Sequence, residues 1–152
     1  MHIHITFPKE GVSMDFLFDS VPRLIRELKS RMNILKLTSG DTRPRPIDTM
    51  TYPDELRLVD NCDLFVAVLP FAAERCLEEL LRRINAGKQT LACFQTGDGL
   101  SFNAVDKLLT DAKHPALRDN DHIEIIWFLQ VEEIVSHIEH YCKTKLGLAA
   151  VI

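Results

Sequence analysis

Apolar residues follow two different spacings along this chain, and segments with the two spacings alternate. Ile3, Ile5 and Phe7 alternate with polar residues, which is the spacing of a strand whose two faces differ. The unbroken apolar run over 64–69 is typical of a strand buried on both faces. Similar short apolar runs occur elsewhere in the chain. The predicted strands are 2–7, 33–37, 64–69, 89–94 and 123–128.

Helical spacing fills most of the segments between the predicted strands. One apolar stripe runs through 74–86, and Gly87 is placed where a helix would end. Ser13 or Asp15 can cap the first helix, and Pro22 within it requires the ordered helix to begin close to that proline. The stripe in 74–86 consists of Leu77, Leu80, Leu81 and Ile84. The predicted helices are 15–32, 54–60, 74–86, 102–109 and 131–145.

Strands that alternate with helices predict a parallel sheet, because a parallel neighbour needs a crossover connection. The order of elements predicts an α/β three-layer sandwich with a five-stranded parallel sheet. We expect the flavodoxin-like strand order 2-1-3-4-5. At 152 residues the chain is long enough for one domain, and we expect 1–152 to form it.

Composition narrows the classes of partner. The net charge of −4 argues against a nucleic-acid-binding surface, and Arg82 and Arg83 are expected to be solvated. No apolar run reaches the length of a membrane span, and the first residues lack the pattern of a signal peptide. We therefore expect a cytoplasmic protein, bound neither to membrane nor to nucleic acid. Its four scattered cysteines are expected to be reduced thiols.

Several cofactor sites of α/β proteins are missing from the sequence. The turn after the first strand lacks the glycines of a dinucleotide site, and no Gly-rich loop ends in Lys-Ser or Lys-Thr. His2 and His4 share one strand face, and His137 and His140 share one helix face. Two ligands without a third do not make a metal site. We expect neither a metal nor an organic cofactor.

Three glutamates, Glu74, Glu78 and Glu79, lie on the helix that follows the most apolar strand. In parallel sheets, ligands bind beyond the carboxyl ends of the strands and beside helix amino termini. The helix dipole is expected to keep such a carboxylate ionised, and it could then attack an anomeric carbon. Helical spacing leaves open which glutamate faces the sheet.

The same segment resembles the nucleoside 2-deoxyribosyltransferase family, which includes enzymes that hydrolyse nucleotide N-glycosidic bonds. The resemblance is carried by Asn61-Cys-Asp63 before the apolar strand, by Glu79-Leu80 in the helix and by Ala86-Gly87-Lys88 at its end. It implies that Glu79, nine positions before Lys88, is the catalytic nucleophile. It also implies that the substrate is a small nucleoside or nucleotide. The substrate-binding residues that follow from it are His4, Thr6, Asp54, Glu55 and Glu74.

Two alternatives use the same helix. Cys76-Leu-Glu-Glu79-Leu80 resembles the Cys-x-x-Glu-Leu segment of Toll/interleukin-receptor-type domains, some of which cleave NAD with that glutamate. A non-catalytic domain of the same fold, which binds a nucleotide or a protein, is the other alternative.

The apolar tail 148–152 suggests a homodimer in which this tail packs on the second subunit.

Overall fold

A computed structural model describes residues 1–9, 11–32, 36–39, 52–70, 73–95 and 122–145 of the chain. Within these ranges, five strands form one parallel sheet in the order β2-β1-β3-β4-β5. The predicted fold class and strand order are thereby confirmed. The strands are β1 (His2–Thr6), β2 (Lys36–Ser39), β3 (Leu64–Leu69), β4 (Thr90–Gln95) and β5 (Ile123–Phe128).

Helices cover both faces of the sheet. The part of the chain that the structure describes contains α1 (Val21–Arg31), α2 (Tyr52–Asn61), α3 (Glu74–Asn85) and α4 (Glu132–Lys145). Residues of α1 and α4 pack on one face, and residues of α2 and α3 pack on the other. None of these helices combines the length and the apolar composition needed to cross a bilayer. The helix predicted over 102–109 and the apolar tail 148–152 lie outside the described residues.

Alternation along the strands divides the core into two clusters. In β1, Ile3 and Ile5 point to the α1 and α4 face, while His4 and Thr6 are buried on the opposite side. β3 is divided in the same way, because successive side chains of a strand point to opposite faces. Its residues Leu64, Val66 and Val68 join the first cluster, and Phe65, Ala67 and Leu69 join the second.

The entry into α1 explains how the chain accommodates Pro22. The Ser13 hydroxyl accepts a hydrogen bond from the backbone N–H of Phe16 at 3.1 Å, and a π-helical turn follows over Phe16–Ser20. Pro22 then lies in the first turn of α1, where its missing N–H costs little. The predicted position of the proline is confirmed, and the cap is Ser13 rather than Asp15.

The second strand ends two residues further along the chain than predicted, and residues 33–35 lie outside the described ranges. It covers Lys36–Ser39, so Thr38 and Ser39 belong to the strand and not to the loop after it. Parallel pairing with β1 aligns His4 with Thr38. Pairing with β1 thus extends β2 past its predicted end at residue 37.

Gly87 ends α3 as predicted, through a Schellman motif. Its φ of 68° lies in the left-handed region, which glycine adopts without steric cost. The N–H of Gly87 bonds to the carbonyl of Ile84, and the N–H of Lys88 bonds to the carbonyl of Arg83. The chain then turns directly into β4.

Arg83 is buried, and the prediction that it is solvated was wrong. Its side chain is 1% exposed and lies over the ring of Phe65, with 6.0 Å between the guanidinium carbon and the ring centroid. The guanidinium donates hydrogen bonds to three carbonyl oxygens, at distances of 2.6 to 3.0 Å. These contacts replace the water that a charged group loses on burial. The acceptors are Val59, Cys62 and Gln89.

Candidate functional site

Polar side chains from three elements meet at the carboxyl edge of the sheet, on its α2 and α3 face. Thr6 is the last residue of β1, and Lys9 follows it in the chain. Glu55 lies in the first turn of α2, and Glu79 in the second turn of α3. All strands of a parallel sheet end at the same edge, and the helices that follow them begin there. The end of β1 and the first turns of α2 and α3 therefore lie close together.

Glu79 faces the sheet and is 4% exposed. Its Oε1 accepts a hydrogen bond from the Thr6 hydroxyl at 3.1 Å, across 73 residues of sequence. Glu78 and Glu74 on the same helix are exposed. The structure therefore resolves the choice that helical spacing left open, and it places Glu79 in the polar cluster.

Burial changes the protonation of Glu79. It raises the pKa of this carboxyl to about 7, and the negative charge of Glu55 acts in the same direction. The hydrogen bond from Thr6 and the charges of Arg75 and Lys9 oppose that rise. The helix dipole was expected to keep this carboxylate ionised; with a pKa of about 7, only part of Glu79 is ionised at neutral pH, because desolvation favours the neutral acid.

Glu55 supplies a second carboxylate beside Glu79. It is 6% exposed, and its Oε1 accepts a hydrogen bond from the Lys9 ammonium at 3.0 Å. Such a pair keeps a charge inside the protein without leaving it uncompensated. The site thus holds one carboxylate paired with an ammonium group and one carboxyl bonded to a hydroxyl.

His4 lies beside these groups as a neutral ring. Burial lowers its pKa to about 4, and its ring stacks on Phe65 with 6.2 Å between centroids. Its Nδ1 lies 2.8 Å from the Thr38 hydroxyl, which also lies 2.6 Å from Nε2 of His2. Both histidines therefore share a hydroxyl partner. Among the described residues, no three His, Cys, Asp or Glu side chains are grouped to hold a metal.

The structure brings together only some of the predicted site residues. Thr6 and Glu79 are hydrogen-bonded at the sheet edge, where Glu55 is close enough to influence Glu79 electrostatically. His4 lies two residues before Thr6 on the same face of β1 and also senses the charge of Glu55. Asp54, next to Glu55, is half-buried and pairs with Arg57 at 2.9 Å on its own helix. Glu74 remains exposed in the first turn of α3.

Sequence reasoning did not assign two further residues, Lys9 and Cys76, to this cluster. Lys9 pairs with Glu55, and only its place in the turn after the first strand pointed to the sheet edge. Cys76 lies one turn before Glu79 and contacts the Thr6 hydroxyl. Burial raises the pKa of its thiol to about 12, so it remains protonated and unreactive. We therefore exclude Cys76 as a nucleophile.

A separate cavity of about 590 Å³ lies at the same edge of the sheet on its α1 and α4 face. Phe16 and Phe128, which belong to the core of that face, contribute to its walls. Its polar lining includes Ser13, Asp15 and Glu132. Glu79 and Glu55 are not among the described residues that line it, so the glutamate cluster and the cavity are different features.

No protein-family model matches the sequence, and a search among curated proteins finds no match. The fold, in contrast, is similar to that of solved structures. One of them is the crystal structure of an NADH:FMN oxidoreductase in its apo form. The two share 15% sequence identity with a TM-score of 0.53, over 97% of this chain and 89% of that chain. At this identity the similarity shows a common flavodoxin-like α/β fold, which many unrelated activities share.

Proposed function

We propose that this protein cleaves or transfers the N-glycosidic bond of a (deoxy)nucleoside or nucleotide, with Glu79 as the nucleophile. The observation that carries the proposal is the hydrogen bond between the buried Glu79 and Thr6 at the carboxyl edge of the sheet. A carboxyl group held in this way is oriented before the substrate arrives, which favours nucleophilic catalysis. The resemblance of the α3 segment to nucleoside 2-deoxyribosyltransferases supports the same residue.

The reaction has two steps. The ionised Glu79 forms a bond to the anomeric carbon, and the base departs with the electron pair of the N-glycosidic bond and takes a proton from solvent. The resulting glycosyl ester is then attacked by water or by a second base, which releases Glu79 as a carboxylate. Neither step requires a metal or an organic cofactor.

The neighbouring residues have distinct roles in this mechanism. Thr6 donates to Oε1 of Glu79 and leaves Oε2 for the attack. The Glu55 carboxylate accepts hydrogen bonds from sugar hydroxyls, while Lys9 balances its charge. His4 remains neutral at the pH of the reaction, because burial lowers its pKa to about 4. It acts as a hydrogen-bonding wall of the site and not as a cation.

The test is an incubation with a panel of 2′-deoxynucleosides, nucleoside 5′-monophosphates and NAD, followed by chromatography. Free base from a nucleoside or a nucleotide supports the proposal. Nicotinamide from NAD alone would support the Toll/interleukin-receptor-like alternative. The absence of every product would support a non-catalytic binding domain.

Two isosteric variants test the residue assignment. Glu79→Gln removes the charge but keeps the size, and it is expected to slow base release by on the order of a thousandfold. Glu78→Gln makes the same change one residue earlier, on the exposed side of α3, and is expected to release base at the wild-type rate. Equal activity of both variants would overturn the assignment.

We also propose that the protein acts in the cytoplasm. All four cysteines are free and buried. A reducing compartment keeps such thiols reduced. Fractionation of cells that express the tagged protein tests the location.

A further inference from the structure

The hydroxyl of Thr38 lies between the rings of His2 and His4. Its oxygen is 2.6 Å from Nε2 of His2 and 2.8 Å from Nδ1 of His4, and both are hydrogen-bond distances. The register of the sheet produces this arrangement, because Thr38 pairs with His4 on β1 and His2 lies two residues earlier on the same face. The three side chains therefore form one hydrogen-bond network between β1 and β2.

Both rings are mainly neutral at neutral pH. Burial lowers the pKa of His4 to about 4. Burial also lowers the pKa of His2, and the charge of Lys36 acts in the same direction. A neutral histidine ring carries hydrogen on one nitrogen and a lone pair on the other. Each ring therefore presents either a donor or an acceptor to the Thr38 hydroxyl.

The single hydrogen of the Thr38 hydroxyl couples the two rings. It can be donated to one ring nitrogen, so the nitrogen of the other ring must donate to the hydroxyl oxygen for both bonds to form. Two directions meet this condition. In the first, Nε2–H of His2 donates to Thr38, and Thr38 donates to Nδ1 of His4. In the second, Nδ1–H of His4 donates to Thr38, and Thr38 donates to Nε2 of His2.

Two properties of the rings favour the first direction. It makes both histidines Nε2–H tautomers, which neutral histidine side chains prefer in water, whereas the second direction needs the less stable Nδ1–H tautomer in both. The first direction also persists when His2 takes up a proton, because Nε2–H of that ring remains the donor. His2 is less buried than His4 and is therefore the easier ring to protonate. In the favoured direction, the hydrogen of His4 lies on Nε2.

The His4 ring lies close to the residues around Glu79. It is on the face of β1 that also presents Thr6, and the charges of Glu55 and Lys9 act on both His4 and Glu79. Thr38 occupies Nδ1 of the ring, which leaves Nε2 as the nitrogen that can meet a ligand. An Nε2–H group at this place can donate a hydrogen bond to an oxygen or nitrogen atom of a substrate.

We infer that Thr38 is a positioning residue for His4. It fixes the His4 ring as the Nε2–H tautomer, so that the ring is a hydrogen-bond donor toward an acceptor atom of the substrate. His2 acts on His4 through the Thr38 hydroxyl. The direction of the network follows from the contacts within the protein, whereas the role toward a substrate rests on the proposed function.

NMR of the protein with isotope-labelled histidines tests the tautomer directly. A ring nitrogen that carries hydrogen and one that carries a lone pair resonate far apart, so the spectrum distinguishes the two tautomers. At neutral pH, His2 and His4 of the wild type are both expected to carry their hydrogen on Nε2. A His4 ring with its hydrogen on Nδ1 would overturn the inference. The measurement needs neither a substrate nor a variant.

Substitutions of Thr38 test its part in the network. Thr38→Val keeps the shape of the side chain but removes the hydroxyl, so the Nδ1 signal of His4 should move to the position of a nitrogen without a donor. Thr38→Ser keeps the hydroxyl and should restore the wild-type signal. Thr144→Val removes a hydroxyl on α4 that donates to the His140 carbonyl, and it should leave the His4 signals unchanged. An unmoved Nδ1 signal in Thr38→Val would contradict the inference.

The role toward the substrate has a separate test. With a substrate that the wild type converts, Thr38→Val should lower kcat/KM by up to about tenfold, as the loss of one hydrogen bond would produce. Thr38→Ser should retain the wild-type value. A wild-type kcat/KM in Thr38→Val, together with a moved Nδ1 signal, would overturn the substrate role. The absence of product from every substrate would overturn the proposed function and this role with it, but not the tautomer of His4.

Discussion

The protonation state of Glu79 depends on the balance between burial and three favourable contacts. Burial and the charge of Glu55 favour the neutral acid, whereas Thr6, Arg75 and Lys9 favour the carboxylate. The result is a pKa of about 7, at which both forms are present at neutral pH. A nucleophile must be ionised, so the proposed activity is expected to rise as the pH passes this value.

The pH profile of base release tests the hydrogen bond between Thr6 and Glu79. For the wild type, kcat/KM is expected to reach half of its maximum near pH 7, the pKa of Glu79. Thr6→Val keeps the shape of the side chain but removes the donor that favours the charged form, so the half-maximum should move to higher pH. Thr144→Val removes a hydroxyl bonded to the His140 carbonyl on α4 and serves as the control. An unchanged half-maximum in Thr6→Val would contradict the role of this bond.

At the scale of elements, Arg83 connects α3 to its neighbours. Its guanidinium bonds carbonyl oxygens of Val59 in α2, of Cys62 before β3 and of Gln89 before β4. It also lies over Phe65, on which His4 stacks. Arg83 thereby supports the helix that presents Glu79 and the strand that carries Thr6.

Removal of Arg83 is expected to destabilise the protein much more than removal of Arg82. Arg83→Met leaves buried carbonyl groups without partners and should lower the free energy of unfolding by about 2 to 4 kcal/mol. Arg82→Met breaks an exposed pair with Asp60 and should cost less than about 1 kcal/mol. Urea denaturation followed by circular dichroism measures both. Similar losses in the two variants would contradict the structural role of Arg83.

At the scale of the whole molecule, two buried groups make stability depend on pH in opposite directions. Burial raises the pKa of Glu79 to about 7, so its contribution is complete below its unfolded value near 4.5 and is lost as the pH rises through 7. Burial lowers the pKa of His4 to about 4, so its contribution is present above 6.5 and is lost as the pH falls toward 4. The two effects partly cancel in the wild type.

A variant that lacks one of the two groups reveals the other. In Glu79→Gln, the loss of stability that Glu79 causes between pH 4.5 and 7 should disappear. In the wild type, the full change in pKa lowers the free energy of unfolding by at most about 3 kcal/mol over this range. Chemical denaturation at several pH values measures this difference between variant and wild type. Glu78→Gln should give a curve parallel to that of the wild type. A parallel curve for Glu79→Gln would show that position 79 has no shifted pKa.

The sequence predicts the architecture well, because the spacing of apolar residues and the end of α3 at Gly87 depend on residues that are close together in the sequence. The predicted end of β2 was wrong because Thr38 pairs with its partner in β1, which no local pattern reveals. Arg82 and Arg83 are adjacent and chemically equivalent, yet Arg83 is buried against three carbonyl oxygens while Arg82 pairs with the Asp60 carboxylate at the surface. Glu78 and Glu79 lie about equally far from the predicted apolar stripe. Their difference arises from the side of α3 that packs on the sheet, and this depends on tertiary contacts.

The central claim is that Glu79 forms a covalent bond to the sugar. The most direct measurement is rapid acid quenching of the wild-type protein during turnover of the best substrate from the panel, followed by peptide mass spectrometry. The account predicts one added glycosyl group on the peptide that contains Glu79, and none in Glu79→Gln. An adduct on another residue, or base release at the wild-type rate from Glu79→Gln, would contradict it.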